Sequence, residues 1–260
     1  MPSLRHLASA LFAIAVFAIT LGGASLPASA QSFSDGQRGD IEKIVREYLI
    51  THPEVLEEAM AELTKRQATA EAQKHEASVA QNSDAIFNSP RQVVLGNKDG
   101  DVTFVEFFDY NCGYCKRAMD DMLTLMKADP KLKVVLKEFP VLSQGSVEAA
   151  QVAVAVRMQD PSGKKYLDFH QKLLGGRGAA DKARALQAAK EAGLDTARIE
   201  KDIGSAEVRS TIEENFKLAE AMGMNGTPSY VIGKQVVIGA VGADSLREKI
   251  GIARCGKAVC

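Results

Sequence analysis

The chain has 260 residues, of which 46% are hydrophobic and 25% are charged, and its formal net charge is −1. This composition is typical of a globular protein and excludes a collagen-like, disordered or multi-span membrane chain. The balance of 32 basic and 33 acidic residues argues against nucleic-acid binding. Its four cysteines, Cys112, Cys115, Cys255 and Cys260, are too few for a disulfide scaffold, so they must hold a site, a local cross-link or a metal.

The first 30 residues have the pattern of a secretory signal peptide. Arg5 precedes an apolar run from Leu7 to Thr20, and Ala28-Ser29-Ala30 supplies a small-x-small cleavage pattern. The alternative is a transmembrane anchor, but the apolar run is shorter than the roughly 20 residues that a span needs. We therefore expect cleavage after Ala30 and export to an oxidising compartment, where paired cysteines form disulfides.

Residues 31–90 are predicted to form a helical segment, with helix from about 35 to 82. Apolar residues at positions 41, 44, 45, 48 and 49 repeat with helical spacing, and Pro53 suits the start of a second helix. From position 64 to 81 most residues favour helix but offer little to bury. Two interpretations remain open: a surface helix or mobile arm, and an oligomerisation segment whose apolar stripe packs against copies of itself.

Residues 91–254 predict an α/β domain that begins with a β-α-β unit. Val102–Phe108 is apolar on both faces, as expected for a central strand, and Lys133–Phe139 is a second strand. A helix from Cys115 to Lys127 lies between them, which is typical of a parallel pair.

The rest of this domain predicts a long insert and a hairpin. Residues 143–223 are predicted to be entirely helical, and Gly223 is a suitable left-handed cap for the last helix. Three elements are expected after the insert: strands Ser229–Ile232 and Val236–Ile238, joined by Gly233-Lys234, and a helix from Asp244 to Ile250.

The segment Cys112-Gly113-Tyr114-Cys115 lies where the first strand gives way to a helix. A cysteine at a helix N-terminus faces unpaired N–H groups and the positive end of the dipole, which stabilise its thiolate. We therefore expect Cys112 to exchange with substrate and Cys115 to resolve the mixed disulfide. Two alternatives stay open: an inert disulfide, and half of a zinc site completed by Cys255 and Cys260.

Glu106 stands inside the apolar first strand, six residues before Cys112. A buried carboxylate is costly unless it is paired or used. Lys137, on the second predicted strand, is the candidate partner for an ion pair. Alternatively, Glu106 takes or returns the proton of Cys115 during exchange. The two roles are compatible, and both remain open.

These residues resemble the DsbA-like branch of the thioredoxin-fold thiol–disulfide oxidoreductases. The matching features are the EFFDYNCGYC segment around Glu106, the Phe169-His170 pair and the GTPSYVIG segment with Thr227 and Pro228. Within that branch the N-terminal segment is similar to the suppressor-of-copper-sensitivity ScsC proteins, several of which oligomerise through such a region. The resemblance implies an α/β thioredoxin fold with a long all-helical insert, preceded by an N-terminal helical segment.

The resemblance also implies site residues beyond the cysteines. Pro228 would follow a cis peptide bond and lie beside Cys112, and the backbone next to Thr227 would pair with a substrate strand. Gly113-Tyr114 and the threonine before Pro228 resemble the disulfide isomerase DsbC, whereas DsbA has Pro-His and valine there. Gly113-Tyr114 places no cation beside the Cys112 thiolate, so we expect a dithiol that is less oxidising than one containing histidine.

The tail, residues 255–260, is not part of the family pattern. Because both loops are short, pairing of Cys112 with Cys115 and of Cys255 with Cys260 is favoured among the possible pairings. A structural disulfide in the tail is the simplest interpretation. A shuttle to the active site and a metal contact stay open.

Taken with the resemblance, the sequence predicts a periplasmic thiol–disulfide oxidoreductase without cofactor or metal, which acts on exported proteins and has a membrane redox partner. We favour an isomerase or reductase that forms a homo-oligomer through residues 35–82. The alternatives are a monomeric DsbA-type oxidase, a copper-binding or copper-tolerance protein that uses the reduced cysteines, and a structural envelope protein.

Overall fold

A computed structural model describes residues 33–260, so the predicted signal peptide and its cleavage site after Ala30 lie outside the described residues. The chain divides into two compact units, one that ends at Ala59 and one that runs Met60–Cys260. Between residues 33 and 260 no helix is both long enough and apolar enough to cross a membrane.

The first unit consists of helix α1, Asp35–Thr51, and the first turns of helix α2, Glu54–Gln81. Ser34 and Gln37 form a capping box that satisfies two N–H groups at the start of α1. No residue of α1 is buried, and Ile44, Val45 and Tyr48 are 65%, 49% and 52% exposed. The predicted N-terminal helices are therefore confirmed, and the apolar stripe of α1 faces outward in this unit.

The second unit contains a five-stranded sheet and further helices. The strands are β1 Val93–Gly96, β2 Val102–Phe108, β3 Leu132–Glu138, β4 Ser229–Ile232 and β5 Gln235–Ile238. The helices that follow α2 are α3 Ser83–Phe87, α4 Gly113–Ala128, α5 Gln144–Gln159, α6 Lys164–Leu174, α7 Lys182–Glu191, α8 Thr196–Asp202, α9 Ala206–Ala221 and α10 Ala243–Cys255.

The strand order is β1-β3-β2-β4-β5, with β2 and β3 parallel and the other pairs antiparallel. The predicted central strand, β-α-β unit, helical insert and final hairpin are all confirmed, and together they make a thioredoxin fold with a helical insert. Both faces of β2 are apolar because both are covered. Phe104 and Phe108 lie in one core with residues of α4 and α10, whereas Val105 and Phe107 lie in a second core with residues of α3 and α9.

Three features of this unit differ from the sequence-based expectation. Strand β1 and helix α3 were not predicted, because four or five residues are too few to show a periodic pattern. Helix α10 continues to Cys255, beyond the predicted end at Ile250. Val79 and Ile86 are buried in the second core, so the end of α2 and α3 pack as part of this unit.

The expected ion pair between Glu106 and Lys137 is wrong. In the parallel register Glu106 lies beside Leu136, and Lys137 lies beside Phe107, so the two side chains are on opposite faces of the sheet. The Lys137 ammonium group donates instead to the carbonyl oxygen of Ala85 at 2.9 Å. Lys133, on the same face, donates to the carbonyl of Phe87 at 3.0 Å. Both lysines therefore satisfy carbonyl groups of the short helix α3.

This placement predicts a pH dependence of stability. Burial lowers the pKa of Lys137 from 10.5 to about 8, so between these pH values the unfolded chain binds the extra proton. The contribution of Lys137 to the unfolding free energy therefore rises with pH across this window. Relative to Lys137→Met, the wild-type protein should gain on the order of 3 kcal/mol between pH 8 and 10.5, measured by urea unfolding.

Lys133→Met is the matched control, because Lys133 also donates to a carbonyl of α3 but is less deeply buried. It should follow the wild-type pH profile. Parallel profiles for wild type and Lys137→Met would contradict the prediction.

Candidate active site

Cys112 and Cys115 lie at the junction between β2 and α4. Cys112 is the N-cap residue of α4, and its sulfur accepts a hydrogen bond from the backbone N–H of Cys115 at 3.3 Å. This bond satisfies one of the N–H groups that a helix leaves unpaired in its first turn. Cys112 is 7% exposed and Cys115 is fully buried. Of the two sulfur atoms, only that of Cys112 is therefore accessible to a protein substrate.

The two cysteines have opposite acidities. A hydrogen bond from the Cys115 side chain lowers the pKa of Cys112 to about 6, against the effect of burial. A hydrogen bond with Thr227 and the backbone N–H groups of Cys115 and Tyr114 act in the same direction. Burial, and then the hydrogen bond to Cys112, raises the pKa of Cys115. At neutral pH Cys112 is therefore mainly a thiolate, the nucleophilic form, and Cys115 is a thiol.

Thr227 and Pro228 lie beside Cys112, although they are far away in sequence. The Thr227-Pro228 peptide bond is cis, and the Cys112 sulfur lies 3.2 Å from the carbonyl oxygen of Thr227. Pro228 leads directly into β4, which pairs antiparallel with β2. The sheet itself therefore brings the two loops together.

The segments near Cys112 carry exposed apolar and aromatic side chains. Tyr114 is 60% exposed, and the guanidinium group of Arg117 lies 4.5 Å from the centre of its ring. A side chain added at Gly113 would meet nothing within 4 Å. Val141 and Leu142, in the neighbouring loop after β3, are 42% and 54% exposed. Such a surface can contact apolar segments of an unfolded chain.

Asp109 fixes the loop that carries Cys112. Its buried carboxylate accepts hydrogen bonds from the backbone N–H groups of Asn111 at 2.7 Å, Val141 at 2.8 Å and Leu142 at 3.0 Å. One side chain therefore joins the loop before α4 to the loop after β3.

Tyr110 and Asn111 attach the same loop to the helical insert. The Asn111 side chain donates to the carbonyl of Ala180 at 2.8 Å and accepts from its N–H at 2.7 Å. The Tyr110 hydroxyl lies 3.3 Å from the hydroxyl of Tyr166 and from Nδ1 of His170. Burial lowers the pKa of His170 to about 3, so its ring is neutral.

Asp109, Tyr110 and Asn111 were not among the site residues predicted from the sequence. The available signal was the polar run Asp109-Tyr110-Asn111 between an apolar strand and the dithiol. Such residues form local hydrogen bonds at turns. Their partners, however, are in the loop after β3 and in the insert, which the sequence does not connect to them.

Glu106 is only 3% exposed and lies on the face of the sheet that carries α4. Burial, and then the charges of Cys112 and Asp121, raises its pKa to about 8. Cys115 lies in the core on that same face, and the charge of Glu106 adds to the effect of burial in raising the pKa of Cys115. A carboxyl group that titrates near neutral pH is suited to proton transfer.

Cys255 and Cys260 are joined by a disulfide bond, whereas Cys112 and Cys115 are free thiols. The tail folds back on α10, where the Ala258 carbonyl packs so close to Gly251 that no Cβ would fit. Arg254, next to Cys255, bonds to Asp101 before β2 and to Asp129 after α4, both at 2.7 Å.

The tail disulfide therefore lies at the opposite end of α4 from Cys112. A helix of the 16 residues of α4 is about 24 Å long. The structure brings Cys112, Cys115, Glu106, Thr227 and Pro228 together, but it does not bring the two cysteine pairs together. Neither a shared zinc site nor direct transfer between the pairs fits this geometry. Within residues 33–260 no group of three or more His, Cys, Asp or Glu side chains is arranged to hold a metal.

Comparison with known proteins identifies two family models. The one described as "DSBA-like thioredoxin domain" matches residues 103–251. The one described as "Copper resistance protein ScsC N-terminal domain" matches residues 37–70.

Similar solved structures and curated sequences agree with these matches. A thioredoxin-like oxidoreductase from Silicibacter pomeroyi DSS-3 is 44% identical, with a TM-score of 0.63, covering 66% of this chain and 96% of its own. Proteus mirabilis ScsC in a transitional conformation is 29% identical, with a TM-score of 0.62, covering 86% of this chain and 97% of its own. Disulfide bond formation protein D of Bacillus subtilis is 26% identical over 65% of this chain and 82% of its own length.

Two other curated relatives are much longer proteins, named Na(+)/H(+) antiporter NhaA and NhaA 1, from Herminiimonas arsenicoxydans and Salinispora arenicola. The matches cover 26% and 25% of their lengths. Their transport activity is therefore not carried over to this chain.

The acidity of Cys112 depends on its neighbour and is testable. In Cys115→Ala the side-chain hydrogen bond to Cys112 is lost, so the pKa of Cys112 should rise by at least about one pH unit from its value near 6. The pH dependence of iodoacetamide alkylation measures this pKa. Cys115→Ser retains a donor and should stay closer to the wild type. An unchanged pKa in Cys115→Ala would contradict the assignment.

Proposed function

Because the chain belongs to the DSBA-like thioredoxin domain family and is a protein thiol–disulfide oxidoreductase of the ScsC type, we propose that it exchanges disulfides in exported proteins through Cys112 and Cys115. The observation that carries the proposal is the position of Cys112, at the N-terminus of α4, where its thiol donates a hydrogen bond to the Thr227 carbonyl oxygen at 3.2 Å. A substrate strand that pairs with the backbone at Thr227 would present its sulfur to Cys112.

The exchange proceeds in two steps. The Cys112 thiolate attacks a substrate disulfide, whose S–S bond breaks: one substrate sulfur joins Cys112 and the other leaves as a thiolate. Cys115 then loses its proton, and its thiolate attacks the Cys112 sulfur. This closes the Cys112–Cys115 disulfide and releases the second substrate sulfur as a thiolate. We assign the proton acceptor in this step to Glu106, whose pKa of about 8 lies near the working pH.

We favour isomerase or reductase activity over oxidase activity. The causes that lower the pKa of Cys112 are hydrogen bonds, and no charged side chain is among them. A Cys112 thiol that is less acidic than one beside a cation is a poorer leaving group, so its disulfide is less oxidising. In an isomerase, the thiolate freed from the substrate attacks another disulfide of the same chain before Cys115 acts. A membrane redox partner would restore the reduced dithiol after each complete reduction.

The N-terminal helices support an oligomer. Ile44 and Tyr48 on α1, and Leu56, Met60 and Leu63 on α2, are all at least 48% exposed. Apolar side chains repeated at helical spacing with no cover in their own unit are suited to packing against copies of the same helix. We assign the self-association to this stripe.

Export to the periplasm is supported by the signal-like pattern that ends at Ala30. One similar solved structure is a periplasmic thioredoxin-like protein from Salmonella enterica serovar Typhimurium, which is 30% identical with a TM-score of 0.57. The oxidising environment of that compartment also suits the Cys255–Cys260 disulfide.

The activity is tested with a substrate whose disulfides have been scrambled. The reduced protein should restore the native pairing, and Cys112→Ala should lower the rate to background because the nucleophile is absent. Cys115→Ala should accumulate mixed disulfides, detected by mass spectrometry. A Cys255→Ser/Cys260→Ser variant is the matched control and should retain the wild-type rate.

Three results would contradict this proposal. Full activity in Cys112→Ala would refute the mechanism. Rapid oxidation of a reduced substrate without repair of scrambled disulfides would favour the monomeric oxidase. Stoichiometric binding of Cu(I) by a protein inactive in both assays would favour the copper-binding alternative.

The oligomer is tested separately with point substitutions in α1, since a deletion through residue 90 would remove the buried Val79 and Ile86. The wild-type protein should have a multiple of the monomer mass by light scattering. Ile44→Glu/Tyr48→Glu should shift it to the monomer, because charge in the stripe opposes packing. Arg46→Gln, on the other side of α1, should leave the mass unchanged. A monomeric wild type would refute the assignment.

A further inference from the structure

Two buried polar side chains lie next to one another on the dithiol face of the sheet. Glu106 in β2 and Tyr230 in β4 are paired directly in the antiparallel register, so both point to the same face with Cβ atoms about 5 Å apart. Glu106 is 3% exposed and Tyr230 is fully buried. The Tyr230 ring packs 5.2 Å from that of Phe104, centre to centre, which places it in the core covered by α4 and α10.

Neither polar group has a hydrogen-bond partner in the described part of the chain. The Tyr230 hydroxyl is buried without one. No hydrogen bond is among the causes that set the pKa of Glu106. A buried hydroxyl without a partner is costly, and such groups in native proteins usually have a specific role. In the structure the two residues are neighbours on adjacent strands, and their polar groups do not bond to one another.

The other groups around Glu106 do not offer a cation. Lys137 is on the opposite face, and the neighbour of Glu106 on β3 is Leu136. Helix α4 contributes Cys112, Cys115 and Asp121, whose charges act on Glu106 or Tyr230. Helix α10 contributes the uncharged side chains Leu246 and Ile250 to this core. Apart from the thiols, Tyr230 is the donor that this set of residues offers to Glu106.

We propose that Tyr230 is a positioning residue for proton transfer between Cys115 and Glu106, and that its hydroxyl donates a hydrogen bond to the Glu106 carboxylate when Glu106 is ionised. This inference rests on the proposed function, since it concerns the step in which Cys115 resolves the mixed disulfide. It takes the place of the Glu106–Lys137 ion pair that the sequence suggested.

The step balances as follows. The S–H bond of Cys115 breaks, and its proton moves to the Glu106 carboxylate. The electron pair left on the Cys115 sulfur forms the bond to the Cys112 sulfur, while the bond from Cys112 to the substrate sulfur breaks. The substrate leaves as a thiolate and takes a proton from solvent. Tyr230 keeps its own proton throughout, because burial and the adjacent Glu106 charge raise the pKa of its hydroxyl.

The consequence is a definite direction of change in Tyr230→Phe. The proposed hydrogen bond stabilises the charged form of Glu106, so its loss should raise the pKa of Glu106 relative to the wild-type protein. A hydrogen bond to a charged group typically corresponds to about one pH unit. The phenylalanine ring fills the same space, and removing an unpaired buried hydroxyl should not impair folding.

The test has two readouts. Titration of the Glu106 carboxyl group by infrared or NMR spectroscopy in the reduced protein should show the upward shift in Tyr230→Phe, with Glu106→Gln identifying the signal. The second readout is the single-turnover rate at which a peptide is released from its mixed disulfide with Cys112, measured as a function of pH. In Tyr230→Phe the inflection of this pH profile should be displaced by the same amount as the Glu106 titration. Tyr166→Phe is the matched control, because Tyr166 is equally buried and bonds to Glu138.

The outcomes separate this inference from the proposed function. An unchanged Glu106 titration in Tyr230→Phe would overturn the inference. It would also be overturned if Tyr230→Phe displaced the release profile equally in the wild-type and the Glu106→Gln proteins, since Glu106 would then not be involved. A shifted titration with an unshifted release profile would overturn the role in proton transfer. Loss of the proposed function would instead appear as failure of the wild-type protein to exchange disulfides, and the carboxyl titration does not depend on that activity.

Discussion

The carboxylate of Asp109 holds together the two loops on which the site depends. It accepts hydrogen bonds from Asn111 on one side and from Val141 and Leu142 on the other. Hydrogen bonds to a charged group typically contribute about 1.5–3 kcal/mol each, so this side chain strongly constrains where α4 can begin. The position of the cap residue Cys112 relative to the loop after β3 depends on that constraint.

The chemistry of the site follows from unequal hydrogen bonding and burial of similar groups. Cys112 receives hydrogen bonds that favour its thiolate, whereas Cys115, one helical turn away, is buried and stays protonated. The sheet keeps the buried cation Lys137 away from Glu106. A lysine beside this carboxylate would hold it in its ionised form and lower its pKa. With the lysine on the other face, Glu106 titrates near neutral pH and can both take and return a proton.

Much of this arrangement could be predicted from the sequence because it has a local pattern. The strand Val102–Phe108 is apolar on both faces, and a dithiol at the start of a helix has a known electrostatic consequence. Features that depend on register could not be predicted. The side of the sheet on which Lys137 lies changes with a displacement of one residue in strand pairing. The contacts of Asp109 and the burial of Val79 could not be predicted either, because both depend on segments distant in sequence. Val79 belongs to the largely polar helix α2 but packs in the second core.

The disulfide between Cys255 and Cys260 gives the chain two separate redox couples. They lie at opposite ends of α4, so the state of one pair does not report the state of the other. Complete reduction of the protein from its fully oxidised form takes up four electrons and yields four thiols, of which two belong to the dithiol at Cys112. The stoichiometry of electrons transferred to a substrate must therefore be counted on the Cys112 pair alone.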